Sequence, residues 1–131
     1  MKLTVDTNVL VRAVVQDDPV QAQKAAAVLL DAALIAVTLP TLCELVWVLR
    51  KVYGLQILDV ARAICALIAT ANVEMNRPAV AAGLAVLEAG GDFADGVIAF
   101  EGSWLGGETF VSFDKKAVSL LVAQGQSARL L

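Results

Sequence analysis

Four stretches of this sequence set a carboxylate where chemistry could use it, and no histidine stands anywhere to help. Asp6 follows Leu3-Thr4-Val5 and Asp114 follows Thr109-Phe110-Val111-Ser112-Phe113, so each acid ends an apolar, β-favouring run. Asp92 and Asp95 are spaced i, i+3 after Gly90-Gly91, on one face of a helix start. Glu44 is the only charge between Leu42 and Leu49. Without histidine, Ser-His-Asp and Cys-His nucleophilic sites, His-containing zinc sites and imidazole acid/base catalysis are excluded. If the acids converge, their charges repel and raise one another's pKa values unless a cation sits among them. An all-oxygen set suits Mg²⁺ or Mn²⁺, which lowers the pKa of a bound water and stabilises a phosphate under in-line attack. Metal-dependent phosphodiester cleavage is therefore open to this chain.

Each acid also has a plain structural reading. Asp6, taken alone, is first of all a helix cap, since Thr7 and Asn8 continue as a helix start. For Asp92 the stronger reading is complementing the helix dipole. Asp95 is followed by Val97-Ile98-Ala99-Phe100, which places it where its helix becomes core. For Glu44, a solvated glutamate and a paired or ligating acid stand evenly matched.

The elements that must position these groups alternate. A strand precedes Asp6, and a short helix runs from Thr7 to Val15. Asp17-Asp18-Pro19 reads as a turn and cap before a helix to about Ala33. Leu34 to Leu39 is a second strand. Pro40 opens a helix whose stripe is Leu42, Leu45, Val46, Leu49, Val52 and Tyr53, closed by Gly54. Helices follow over roughly Ile57–Ala71, Pro78–Ala89 and Asp92–Gly102, with a short strand at Asn72–Asn76. The Thr109–Phe113 strand, a Lys115–Ala123 helix and an edge strand at Ser127–Leu131 complete the chain. This alternation predicts one α/β domain over 1–131, three-layered, with a mostly parallel central sheet of about five strands flanked by helices.

Hydrophobic residues make up 59% of the chain and mean hydropathy is +0.75, so part of the apolar surface is expected to meet another chain. Asp31 and Pro40 break the longest apolar region before it reaches membrane-spanning length, and Asp6 comes too early for a signal-peptide core. A cytoplasmic protein is expected, with Cys43 and Cys65 as reduced core thiols. The net charge of −3 argues mildly against a nucleic-acid partner, although acids that hold a metal present a neutralised surface.

Four segments in order resemble the PIN-domain ribonucleases, and in particular VapC-type toxins of bacterial toxin–antitoxin pairs. They are Val5-Asp6-Thr7-Asn8-Val9-Leu10, Leu42-Cys43-Glu44-Leu45-Val46-Trp47-Val48-Leu49, Asp92-Phe93-Ala94-Asp95-Gly96-Val97-Ile98-Ala99 and Ser112-Phe113-Asp114-Lys115. The resemblance implies a PIN-like fold and a ribonuclease whose Mg²⁺ or Mn²⁺ is held by Asp6, Glu44, Asp95 and Asp114. It assigns Asn8 and Ser112 as polar helpers and Asp92 to a frequently acidic position. Gly96 stands where many relatives have alanine, at about 1 kcal/mol of helix propensity. RNA as substrate, a small antitoxin as partner and a homodimer are further implications. Arg12, Arg50, Lys51, Lys115 and Lys116 are the candidate RNA grips, each against the plain reading of a solvated helix face.

Three rivals compete. A haloacid-dehalogenase-like phosphatase needs a second acid two residues after the first, and Asn8 stands there. A receiver domain needs an aspartate after a central strand, whereas Asp59 lies in a helical pattern. A non-catalytic RNA- or protein-binding module on the same scaffold is the third.

Overall fold

The computed structural model describes all of residues 1–131, and the chain divides into two compact units, Met1–Asn76 and Arg77–Leu131. In the first, strands β1 (Lys2–Thr4), β2 (Leu34–Ala36) and β3 (Val73–Glu74) form a parallel sheet in that order. Leu3 lies opposite Ile35, and Ile35 opposite Val73. Parallel neighbours need long crossovers. Helices α1 (Thr7–Val15) and α2 (Pro19–Asp31) supply the first; α3 (Leu39–Trp47), a π-helical turn (Val48–Val52) and α4 (Ile57–Ala69) supply the second.

Local chemistry sets the helix starts. The Asp18 carboxylate accepts from the Gln21 N–H at 3.1 Å with Pro19 following, and Thr38 Oγ1 accepts from the Thr41 N–H at 3.4 Å ahead of Pro40. The apolar faces then close over Ile35 and Val73: Leu10 and Val11 of α1, Leu42, Leu45 and Val46 of α3, and Val60, Ala61 and Ile64 of α4 are buried.

The helix from Pro40 to Gly54 is not continuous α-helix. At Val48–Val52 it widens, and the Tyr53 N–H donates to the Val48 carbonyl at 3.2 Å, five residues back. The wider turn rotates every later position relative to the stripe. Leu42, Leu45, Val46 and Leu49 are buried as the periodicity predicts, but Val52 is 63% exposed. Cys65 also departs from its expected place: it lies one residue past buried Ile64, on the exposed side of α4, while Cys43 is half-buried.

In the second unit, α5 (Arg77–Glu88) and α6 (Phe93–Trp104) pair, and α7 (Lys115–Ala123) links the parallel strands β4 (Phe110–Ser112) and β5 (Ala128–Leu130). The α5–α6 pairing depends on glycine. A Cβ on Gly96 would collide with the Ala82 carbonyl and come within 2.8 Å of the Gly83 Cα, while the buried Phe93 ring covers Gly83. Alanine's propensity gain of about 1 kcal/mol is therefore outweighed by overpacking against rigid backbone, of order 1–3 kcal/mol. Gly96→Ala is expected to lower the denaturant midpoint in an unfolding titration; a raised midpoint would contradict the close approach.

Seven α-helices and five strands, all paired in parallel, make this the small α/β architecture expected from the alternation. The ladders group as three strands and two. Alternation determines the direction of strands joined by crossovers, but not which edges pair. No helix is long and apolar enough to cross a membrane.

Candidate active site

In the first unit, Asp6 follows β1 and is the N-cap of α1, with extended backbone at φ −80° and ψ 159°. Its Oδ1 accepts from the Thr7 N–H at 2.7 Å, and the Val5 N–H donates to the Ala36 carbonyl, so the ladder reaches the acid's doorstep. Thr7 is buried beneath, while Asp6 and Asn8 are exposed. The cap uses one carboxylate oxygen and leaves the other to solvent. Glu44 sits on the exposed side of α3, between buried Leu42 and Leu45 and one turn from Trp47. Trp47 is 57% exposed, so it does not belong to the core.

The second unit gathers three acids. Asp92 is the N-cap of α6, its Oδ1 accepting from the Ala94 N–H at 3.1 Å, a cap where the sequence suggests a first-turn complement to the helix dipole. Asp114 caps α7 by accepting from the Ala117 N–H at 3.1 Å. Ser112 Oγ in turn accepts from the Asp114 N–H at 2.9 Å, so the serine fixes the backbone that aims this acid. Asp95 lies in the first turn of α6, half-buried. Its pKa is raised above the usual aspartate value by burial first, then by the charges of Asp92 and Asp114. The helix N-terminus favours an anion there, but the two like charges and the desolvation prevail.

None of Asp6, Glu44, Asp92, Asp95 and Asp114 forms a salt bridge. In kind these donors fit a hard divalent ion, being oxygen ligands without a protein cation to neutralise them. In spacing, no group of three acidic or cysteine side chains is placed to hold one as the structure stands.

The basic candidates divide. Arg12 is tied into a network that spacing alone does not disclose. Its Nε donates to Gln21 Oε1 at 2.6 Å, and Nη1 donates to Asp17 Oδ1 and the Tyr53 hydroxyl, both at 3.2 Å. Tyr53 donates onward to Asp17 Oδ2 at 3.0 Å. The signal lay in the pairing of Arg12 with the acidic Asp17-Asp18 turn. Arg50 donates to the Leu55 carbonyl at 2.8 Å and ties down the chain after the π-helical turn. Lys51, Lys115 and Lys116 are exposed and unpaired by any acid.

By architecture this is a small α/β protein of helices and parallel strands, with acids at strand ends and helix starts. More specifically, residues 3–119 match the PIN domain family, and the chain belongs to it. No curated protein matches the chain. The PIN domain is in general a nuclease fold, acting on nucleic acid and typically using divalent metal ions.

Proposed function

We propose that the chain, read as one PIN-like domain over 1–131, is a Mg²⁺- or Mn²⁺-dependent endoribonuclease. Asp6, Glu44, Asp95 and Asp114 serve as its acidic metal ligands. The observation that carries this reading is Asp95: a half-buried carboxylate acted on by Asp92 and Asp114, with no protein cation to offset the three charges. Such an arrangement is costly unless a cation is bound. When bound, that ion supplies an activated water and neutralises charge developing on the phosphate. Within the chain, Ser112 and the α7 start hold Asp114, Asp92 holds the start of α6, and Asn8 stands beside Asp6 to meet the substrate. Lys51, Lys115 and Lys116 are the free phosphate contacts among the candidate grips.

The order and spacing of the acidic segments support the role of a VapC-type toxin, cytoplasmic and restrained by a small antitoxin. Exposed Trp47, Val52 and Leu58 in the first unit, and Trp104 at 79% exposure with Leu105 in the second, support a homodimer. Light scattering at micromolar concentration reads that state directly, and a monomer contradicts it.

The test is cleavage. Purified protein, free of any partner, is expected to cut mixed cellular RNA with Mg²⁺ or Mn²⁺ and to stop when a chelator is added. A non-catalytic binding module on the same scaffold is the alternative that this test excludes. RNA binding that is indifferent to metal, without cleavage, would establish that module and sink the nuclease.

A further inference from the structure

A groove of about 490 Å³ runs between α1 and α2 in the first unit, its lining beginning at Asn8, two residues after Asp6. Along α1 it is lined by Asn8, Val9 and Arg12; along α2 it is lined by Gln21, Lys24, Ala25 and Val28, at i, i+3, i+4 and i+7 spacing. Val9, Ala25 and Val28 give it an apolar floor, and the polar groups form its rim. The rim charges are unequal. The Arg12 guanidinium is taken up by Asp17, Tyr53 and Gln21, so it builds the wall. Lys24 has no acidic partner and is exposed. Gln21 gives its carbonyl oxygen to Arg12, which leaves its amide N–H groups as free donors. Asn8 offers an exposed amide at the end nearest Asp6.

We propose that this groove seats one nucleotide of a single-stranded RNA, beside the phosphate presented to Asp6. Lys24 meets the nucleotide's own phosphate, and Val9, Ala25 and Val28 lie under its base. The Asn8 and Gln21 amides donate to acceptors on the base edge. The volume falls within the roughly 300–1,000 Å³ of pockets that hold a single small ligand. An unpaired base with its edge exposed is what proteins read in RNA. A lone uncompensated cation above an apolar floor complements a nucleotide, which carries its negative charge at one end of a flat, weakly polar ring. The proposal rests on the ribonuclease reading, and its test separates the two.

Fluorescence anisotropy of a labelled single-stranded RNA, measured with the Asp6→Asn chain so that nothing is cut, gives the affinity and its salt dependence. Adding Lys24→Gln is expected to weaken binding roughly 3- to 10-fold at low salt and to flatten the slope of log affinity against log salt by about 0.7, one phosphate contact's worth. Val28→Asp, an exposed position whose change spares the core, sets a carboxylate under the base, one turn from Lys24, and is expected to weaken binding as well. If Lys24→Gln keeps the parent's affinity and slope, the groove proposal is overturned and the nuclease stands. If the parent binds no RNA, both fall. If the two variants bind RNA like the parent but lose a small acidic partner protein, the groove belongs to that partner and the nucleotide proposal is wrong.

Discussion

Asp6→Asn is expected to reduce RNA cleavage by at least about 10²–10³-fold while leaving the melting temperature nearly unchanged. The two halves of that expectation come from the two oxygens of one side chain. One oxygen accepts from the Thr7 N–H at 2.7 Å and starts α1. Asparagine caps a helix about as well as aspartate, because its amide oxygen can take the same hydrogen bond. The charge is what it lacks, and a hard divalent ion is held by charge as much as by geometry. Asp6→Ala is the useful contrast: it removes the cap too and should cost about 1 kcal/mol of stability in addition to the activity. Circular dichroism melts beside a gel-based cleavage assay distinguish the outcomes. An Asp6→Asn chain that melts normally and cuts RNA at the parent's rate would remove Asp6 from the chemistry and leave it a cap alone.

The capping role shows what the sequence can and cannot disclose. Asp6, Asp92 and Asp114 were each legible as helix starts, and all three cap a helix by accepting backbone N–H groups. Element order was legible because Pro, Gly and Asx residues punctuate it locally; α1 and α7 span the predicted residues. What stayed hidden depends on three-dimensional company. The π-helical turn at Val48–Val52 cannot be read from a stripe whose spacing it alters, so the stripe points Val52 into a core it does not enter. Gly96 looked like a small weakness in a helix, because nothing in its own neighbourhood shows that Ala82 and Gly83 press against it from another helix. Arg12 looked like a free cation for the same reason, since Tyr53 lies far along the chain. For Asp95, the following apolar run hinted at partial burial, but the charges facing it depend on where Asp114 is brought by β4 and α7.

Asp95 should affect stability with opposite signs in the absence and presence of metal. Its folded-state pKa is raised, by burial first and then by Asp92 and Asp114. The folded chain therefore holds this proton more tightly than the unfolded chain does. Between the ordinary aspartate pKa and the raised one, the folded state binds more protons, so stability falls as pH rises through that window. Above the window the whole penalty remains. In metal-free buffer near neutral pH, Asp95→Asn is accordingly expected to raise the melting temperature, a modest gain because the group is still partly in contact with solvent. The gain should disappear below about pH 3, where the aspartate is protonated in folded and unfolded chains alike. Adding Mg²⁺ or Mn²⁺ reverses the order. An ion that binds only the folded protein stabilises it in proportion to the logarithm of its concentration over Kd, by about 2.7 kcal/mol at a hundredfold excess over Kd. The native chain should gain this and Asp95→Asn should largely forgo it, so the two melting curves exchange places as metal is titrated in. Melts run at several pH values and metal concentrations read both signs without any measurement of cleavage. If Asp95→Asn melts below the native chain in metal-free neutral buffer, the three carboxylates are not in conflict there, and the argument for a cation among them loses its footing.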